Sequence, residues 1–254
     1  MIGFIGTGNM GGAVARVIAK EGMLFSNRTP EKAAKIAKEL NGALSTNVEI
    51  AKKCDLIFLA VKPKIVKVVL DEIKPYLDER KDKFTLVTMA AGVSIDEIQK
   101  MAGDYPVIRM MPNTPITTGS GVVQYCVKDA DSKMFEELMK DAGLVDEIEE
   151  GLMDAASAVS GCGPAFCYMF IEALADGGVA CGLPRKKALQ YAAKMVEGAG
   201  KLVLESGEHP GKLKDDVCSP GGTTIQGVRA LEKGGFRSAA MEAVIADYEK
   251  TIGK

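Results

Sequence analysis

The chain has 254 residues, 47% of them apolar and 26% charged, with a net charge of −2. That is enough for two domains, or one large one, with a sizeable core, and the balanced charge offers neither a basic face for nucleic acid nor an acidic tail. No apolar stretch approaches the roughly 18 residues of a membrane span, so no membrane partner is expected. The opening residues carry no basic segment, signal-type core or cleavage site, and a cytoplasmic location is expected.

A first strand is expected at Ile2–Gly6. It breaks into Gly6-Thr7-Gly8-Asn9-Met10-Gly11, and a helix follows over Met10–Lys20. Strand, Gly-x-Gly-x-x-Gly turn and helix, in that order, raise a weak pattern to a dinucleotide-binding hypothesis. Gly6 permits the tight turn, Gly8 lets a pyrophosphate approach the backbone, and Gly11 lets the helix pack on the strand. The helix start offers unpaired N–H groups to phosphates. The other reading is an ordinary glycine-rich surface turn.

Met23–Asn27 reads as a second strand and Pro30–Leu40 as a helix, with Thr29-Pro30-Glu31 supplying an N-cap, a first-turn proline and an acid. The strand ends in Ser26-Asn27-Arg28-Thr29. It lacks the carboxylate that NAD sites place on the ribose 2′-hydroxyl, while Arg28 can bind a 2′-phosphate. NADPH is therefore expected over NADH, with NADH possible. Alternatively, Arg28 is a solvated surface residue.

Leu56–Val61 is apolar throughout, as a strand buried on both faces should be. It runs through Ala60-Val61-Lys62-Pro63 into a helix over Lys64–Leu77. The next strand, Phe84–Ala90, ends in Ala90-Ala91-Gly92, small enough to admit a flat ring. Both turns are either walls for a nicotinamide or plain strand-to-helix turns. Ser94-Ile95-Asp96-Glu97 is a capping box opening a helix over Ser94–Met101. Strands at Val107–Met111, Gly121–Val127 and Leu144–Glu147 and a helix over Asp131–Ala142 complete an α/β, Rossmann-type, doubly wound and mostly parallel sheet, assigned to residues 1–152.

Strand alternation then stops, and residues 153–254 read as an all-helical domain. Pro164–Val179 is apolar nearly all round, the mark of a helix buried in a core or a subunit interface. Its Glu172 and Asp176 are either hydrogen-bonding groups there or an acid/base pair. Arg185–Glu205 is amphipathic, but Gly198-Ala199-Gly200 weakens it unless another helix packs closely. Phe236–Ile252 is the final helix.

Between these helices, Ser219-Pro220-Gly221-Gly222-Thr223-Thr224 leads into a further helix. Open backbone N–H groups, hydroxyls and a helix start form an anion cradle. It holds no lysine, which suits a small carboxylate better than a polyphosphate. The plain alternative is a capped helix start. The six cysteines make no Cys-x-x-Cys pair and His209 is the single histidine, so no metal is expected. His209, before Pro210, either caps its loop or neighbours the substrate.

Along essentially its whole length the chain resembles the pyrroline-5-carboxylate reductase family. The resemblance is carried by Gly6–Gly11, Ala60–Pro63, Ala90–Gly92, Arg109–Pro115, Ser160–Ala165, Ala173–Val179, His209–Leu213, Ser219–Thr224 and Leu231–Arg237. It implies NAD(P)H-dependent reduction of 1-pyrroline-5-carboxylate to L-proline, the last step of proline synthesis. It also implies a homodimer with interlocked C-terminal domains, an active site at the dimer interface, and larger assemblies of dimers. Ser219, Gly222, Thr223 and Thr224 would hold the substrate carboxylate and ring nitrogen, with Thr224 the catalytic relay or orienter. Cofactor contacts are expected from Gly6, Gly8, Asn9, Met10 and Gly11 in the turn, and from Asn27, Arg28 and Asn47. Ala60, Val61, Lys62 and Pro63, with Ala90 and Ala91, would add further contacts. Asp216 falls at a cofactor-contacting position that is Asn in some members.

Two rivals are disfavoured. A 2-hydroxy-acid reductase on this architecture needs Lys or His on the first long helix of the second domain, and Pro164–Val179 has neither. A catalytically silent NADP-binding regulator would not need the Ser219–Thr224 loop.

Overall fold

In the computed structural model, which describes residues 1–253, the chain divides into two compact units. One comprises residues 1–162 with the C-terminal residues from Asp247, the other Gly163–Ala246. This division differs from the expected boundary at 152 in two places: the helix Met153–Ser160 and the residues from Asp247 both lie with the first unit.

The first unit is built on an eight-stranded sheet: β1 (Ile2–Ile5), β2 (Leu24–Ser26), β3 (Ala43–Leu44), β4 (Leu56–Leu59), β5 (Thr85–Thr88), β6 (Val107–Pro112), β7 (Gly121–Lys128) and β8 (Gly143–Glu147). Their order is β3-β2-β1-β4-β5-β6-β7-β8. Neighbours run parallel except β6 and β7. The strand order 3-2-1-4-5-6 is that of the dinucleotide fold, and its direction reverses between β1 and β4.

Helices accompany the sheet: α1 (Asn9–Val17), α2 (Pro30–Glu39), α3 (Asn47–Lys53), α4 (Pro63–Asp78), α5 (Ile95–Ala102), α6 (Ser132–Met139) and α7 (Met153–Ser160). The alternation of side chains along β1 and β4 decides what each face of the sheet buries. Phe4 lies in register with Phe25 and Phe58, and the three rings stack, Phe4 and Phe58 at 4.4 Å. They share a core with Val14 of α1 and Ile36 of α2. Ile5, Ile57 and Leu59 belong to a second core with Ile50 of α3 and Leu70 and Ile73 of α4. A glycine at position 3 lets α3 seat on β1, because a Cβ there would stand 2.5 Å from Ile50 Cγ2.

The expected elements are present, with ends shifted by a few residues; β3, α3 and α7 are additional. The capping box at Ser94 and Glu97 forms in both directions. Thr29 sits at the N-cap of α2 but makes no side-chain cap bond.

The second unit holds α8 (Gly163–Ala180), α9 (Arg185–Ser206), α10 (Pro210–Asp216), α11 (Thr223–Lys233) and α12 (Phe236–Thr251) up to Ala246. Among its described residues, the buried cluster is Ala175, Ala188 and Ala192, where α8 meets α9. Large apolar side chains face outward, Met169 at 70% and Leu204 at 81% exposure. Gly198 and Gly200 have nothing within 4 Å of a Cβ position, so no close helix contact is made there among the described residues of this unit.

One expectation is corrected. Glu150–Ala180 contains a helical stretch long and apolar enough to cross a membrane, with mean hydropathy 1.3. Val159, Phe166, Phe170, Ile171 and Leu174 raise that average, while Glu172 and Asp176 interrupt the apolar run. Only 11% of the most apolar 18 residues of that stretch are buried.

Candidate active site

The glycine turn lies at the carboxyl ends of β1 and β4. Gly6 donates its N–H to Ser26 O at 2.8 Å, and Ala60 donates to Ile5 O at 2.8 Å. Gly6 has φ +103°, and a Cβ on it would lie 2.3 Å from Ala60 O. A Cβ on Gly11 would lie 2.6 Å from Gly6 O. Both positions are therefore closed to side chains by backbone. Gly8 is different: it has nothing within 4 Å and is exposed. It is also the N-cap of α1 and supplies no side-chain cap, so first-turn N–H groups stay available to an outside acceptor.

A cavity of about 180 Å³ adjoins this turn, lined by Thr7, Gly8, Asn9, Arg16, Lys32 and Lys35. Arg16 is held there by two bonds to Glu39, at 2.6 and 2.9 Å. This hydrogen bond holds the Glu39 carboxyl below the usual carboxylate range. Thr7 Oγ1 is buried without a partner. An uncapped helix start, an orphan hydroxyl and three nearby cations fit a dinucleotide phosphate. Lys32 and Lys35 were missed in the sequence reading; the signal was their i,i+3 spacing on the helix after β2. A larger cavity, about 430 Å³, touches Glu147, Glu149, Glu150 and Lys128. Its charge is the wrong sign for a phosphate.

At the end of β2 the expected residues divide into tied and free. Asn27 Oδ1 accepts from Thr7 N at 3.1 Å, and its Nδ2 donates to Thr29 O at 3.0 Å, so it braces the glycine turn. Arg28 is exposed. Ser26 Oγ donates to Asn47 Oδ1 at 2.7 Å, bringing Asn47, the first residue of α3, to the strand end. Asn47 Nδ2 in turn donates to Glu72 Oε2 of α4 at 2.7 Å. Met10 is half-buried against the first core.

Ala60 and Val61 follow β4, Lys62 is the exposed N-cap of α4, and Pro63 opens that helix. After β5, Ala90 is buried with its N–H 3.3 Å from Thr88 Oγ1, whereas Ala91 is exposed. These turns, like the glycine turn, lie at carboxyl ends of parallel strands, where such sheets receive ligands.

In the second unit, Ser219, Thr223 and Thr224 are exposed. Gly221 has φ +70°, and Gly222 donates its N–H to Ser219 O at 3.0 Å, which folds the loop back on itself. A Cβ on Gly222 would lie 2.4 Å from Ser219 Oγ, so glycine lets the serine hydroxyl lie over the helix start. Gly222 is the N-cap of α11, with no side-chain cap bond. The reading of this loop as a capped helix start is thus disfavoured, and its first N–H groups face solvent with hydroxyls beside them.

Other candidates resolve differently. His209 caps α10, its Nδ1 accepting from Gly211 N at 3.0 Å. Asp216 pairs with Lys212 at 2.8 Å. Asp176 pairs with Arg185 at 2.6 Å on the surface of the unit. Burial pushes the thiols of Cys54 and Cys126 up to about 11, leaving them protonated core residues at neutral pH.

Comparison with known proteins agrees across both units. Residues 150–253 match the family described as pyrroline-5-carboxylate reductase dimerisation, and residues 1–92 match NADP oxidoreductase coenzyme F420-dependent. The chain is 42% identical to pyrroline-5-carboxylate reductase of Pisum sativum, over 98% of this chain and 94% of the relative. It is 41% identical to that of Escherichia coli strain K12, over 98% and 96%. The crystal structure of Plasmodium falciparum pyrroline carboxylate reductase with NADP bound superposes with a TM-score of 0.85 at 37% identity, covering 98% of this chain and 96% of that one.

Proposed function

We infer the working parts of this enzyme from one premise: the chain belongs to the pyrroline-5-carboxylate reductase family. It is an NAD(P)H-dependent oxidoreductase that reduces the C=N bond of 1-pyrroline-5-carboxylate to give L-proline, the last step of proline biosynthesis. The observation that carries the assignment of parts is the uncapped, hydroxyl-lined start of α11 at Ser219–Thr224.

The cofactor, when bound, supplies the hydride. Gly6, Gly8, Asn9, Met10 and Gly11 form its phosphate turn, with Asn27 as the brace. Arg28 and Asn47 receive the ribose end, and Ala60–Pro63 with Ala90 and Ala91 line the ring end. NADPH is the proposed cofactor, because a guanidinium stands at the end of β2 where an NAD site carries a carboxylate. The P. falciparum relative, crystallised with NADP, supports this choice.

Ser219, Gly222 and Thr223 hold the substrate carboxylate through backbone N–H groups and hydroxyls. The Thr224 hydroxyl bonds the ring nitrogen and fixes the imine for attack. A protonated imine already carries the proton on its ring nitrogen and accepts hydride at carbon, so the protein needs no strong acid at that nitrogen. That accounts for a site without histidine. The apolar outer surface of α8 and α9 is covered by a second copy rather than by lipid, giving an interlocked dimer, assemblies of dimers and a cytoplasmic enzyme.

The test is loss of reduced-cofactor absorbance with 1-pyrroline-5-carboxylate against a panel of 2-keto acids. Oxidation only with the keto acids overturns the reading. Thr224→Ala should lower kcat/KM for the imine roughly 10- to 100-fold, as expected for one hydrogen bond made in the transition state. NADPH affinity should stay unchanged. Equal loss in both would make Thr224 a folding residue.

A further inference from the structure

We infer that Glu72 is a specificity-determining residue that pulls the enzyme's dinucleotide preference toward NADH, against Arg28. The inference rests on the reading that Arg28 and Asn47 receive the ribose, and adds Ser26, which Asn47 bonds, as a contact there. It goes beyond that reading by naming the group that sets the balance there.

The geometry is a short relay. Ser26, the last residue of β2, is almost buried. Its Oγ lies 2.7 Å from Asn47 Oδ1, and Asn47 Nδ2 lies 2.7 Å from Glu72 Oε2. A carboxylate can only accept, so the Asn47 group facing Glu72 must be the amide NH₂. The Asn47 oxygen then faces Ser26, and Ser26 must donate its single hydrogen to it. What Ser26 has left for a ligand is lone pairs.

Lone pairs suit one cofactor and not the other. A ribose 2′-hydroxyl can donate to Ser26 Oγ. A 2′-phosphate dianion is an acceptor and finds no donor there. The Glu72 charge adds to this, being only two hydrogen bonds from Ser26, inside the Debye length of about 10 Å at 0.1 M salt. The dinucleotide fold usually places such a carboxylate at the end of the second strand. Here the strand end has none, and α4 delivers one across space. The two signals therefore oppose each other: Arg28 favours the phosphate, and the Glu72 relay favours the hydroxyl.

Glu72→Gln removes the charge and lets the Asn47 amide face either way, freeing the Ser26 hydrogen for a phosphate. Glu72→Ala removes the acceptor altogether. Dissociation constants for NADPH and NADH, by cofactor fluorescence and by calorimetry, read the effect without turnover. Both variants should shift the NADPH-to-NADH affinity ratio toward NADPH by about tenfold, the size of one charge-assisted hydrogen bond gained. Added salt should narrow the gap between wild type and Glu72→Gln, and thermal midpoints should match, since Glu72 is exposed. Arg28→Ala is the control. If it weakens NADPH binding while both Glu72 variants keep the wild-type ratio, the role of Glu72 is overturned and the site reading stands. If it leaves NADPH binding unchanged, the site reading falls, and the inference with it.

Discussion

Arg109→Ala is expected to cause a large loss of stability in the first unit. Arg109 lies within β6 with 3% of its surface exposed. Its guanidinium reaches Glu150 at 3.1 Å and Asp154 at 2.9 Å, 41 and 45 residues further along the chain. Glu150 also accepts from the N–H of Ile95 at 2.7 Å, so the group ties β6, α5 and α7 together. Truncation removes a well-packed stem and leaves two carboxylates facing a void. Their side chains are 32% and 29% exposed, so water relieves part of the cost. The expected loss is about 3 kcal/mol, the lower end for breaking a buried pair. Arg109→Met keeps most of the stem and should recover the packing share of it. Urea unfolding reads both, and an unchanged midpoint for Arg109→Ala would mean that these contacts carry no net stability.

A second pair of substitutions should separate folding from cofactor binding within three residues. Gly6→Ala forces a side chain onto φ +103° and against Ala60 O, so the protein should lose roughly 1–3 kcal/mol from backbone strain alone. Gly8→Ala meets neither obstacle, since its φ is −68° and its surroundings are empty. Its stability should stay within about 0.5 kcal/mol of the parent, as for surface changes. Its NADPH affinity should nevertheless fall about 100-fold, because the new methyl holds a phosphate away from two charge-assisted N–H bonds. Calorimetric titration with NADPH and thermal unfolding of both variants decide it. Parent-like NADPH binding by Gly8→Ala would remove the phosphate from this turn.

How much of this could be read from residues alone varies with the range of the interaction. Leu56–Leu59 announced itself because burial on both faces leaves an unbroken apolar run. The two exposed residues of β3 carry no such run. The short α3 was also missed, although Thr46, whose side chain accepts from Glu49 N, has the spacing of a helix start. Asn47 was placed by family resemblance, and its bonds to Ser26 and Glu72 join three separate elements. Pairings such as Arg109 with Glu150 and Asp154 have no local signature, since they arise from the topology of the sheet. The Ser219–Thr224 loop reads from its residues either as an anion cradle or as a capped helix start, and the start of α11 makes no side-chain cap bond.

The alanine cluster of the second unit has a thermodynamic consequence. Ala175, Ala188 and Ala192 are a far smaller buried cluster than either core of the first unit, and burial is what offsets chain entropy. If a second copy supplies the missing burial, mass action governs this unit as much as sequence does. Each tenfold dilution would then cost the folded assembly about 1.4 kcal/mol per mole of dimer. The midpoint of thermal unfolding should rise with protein concentration, and a midpoint constant over a thousandfold range would show that each chain folds alone.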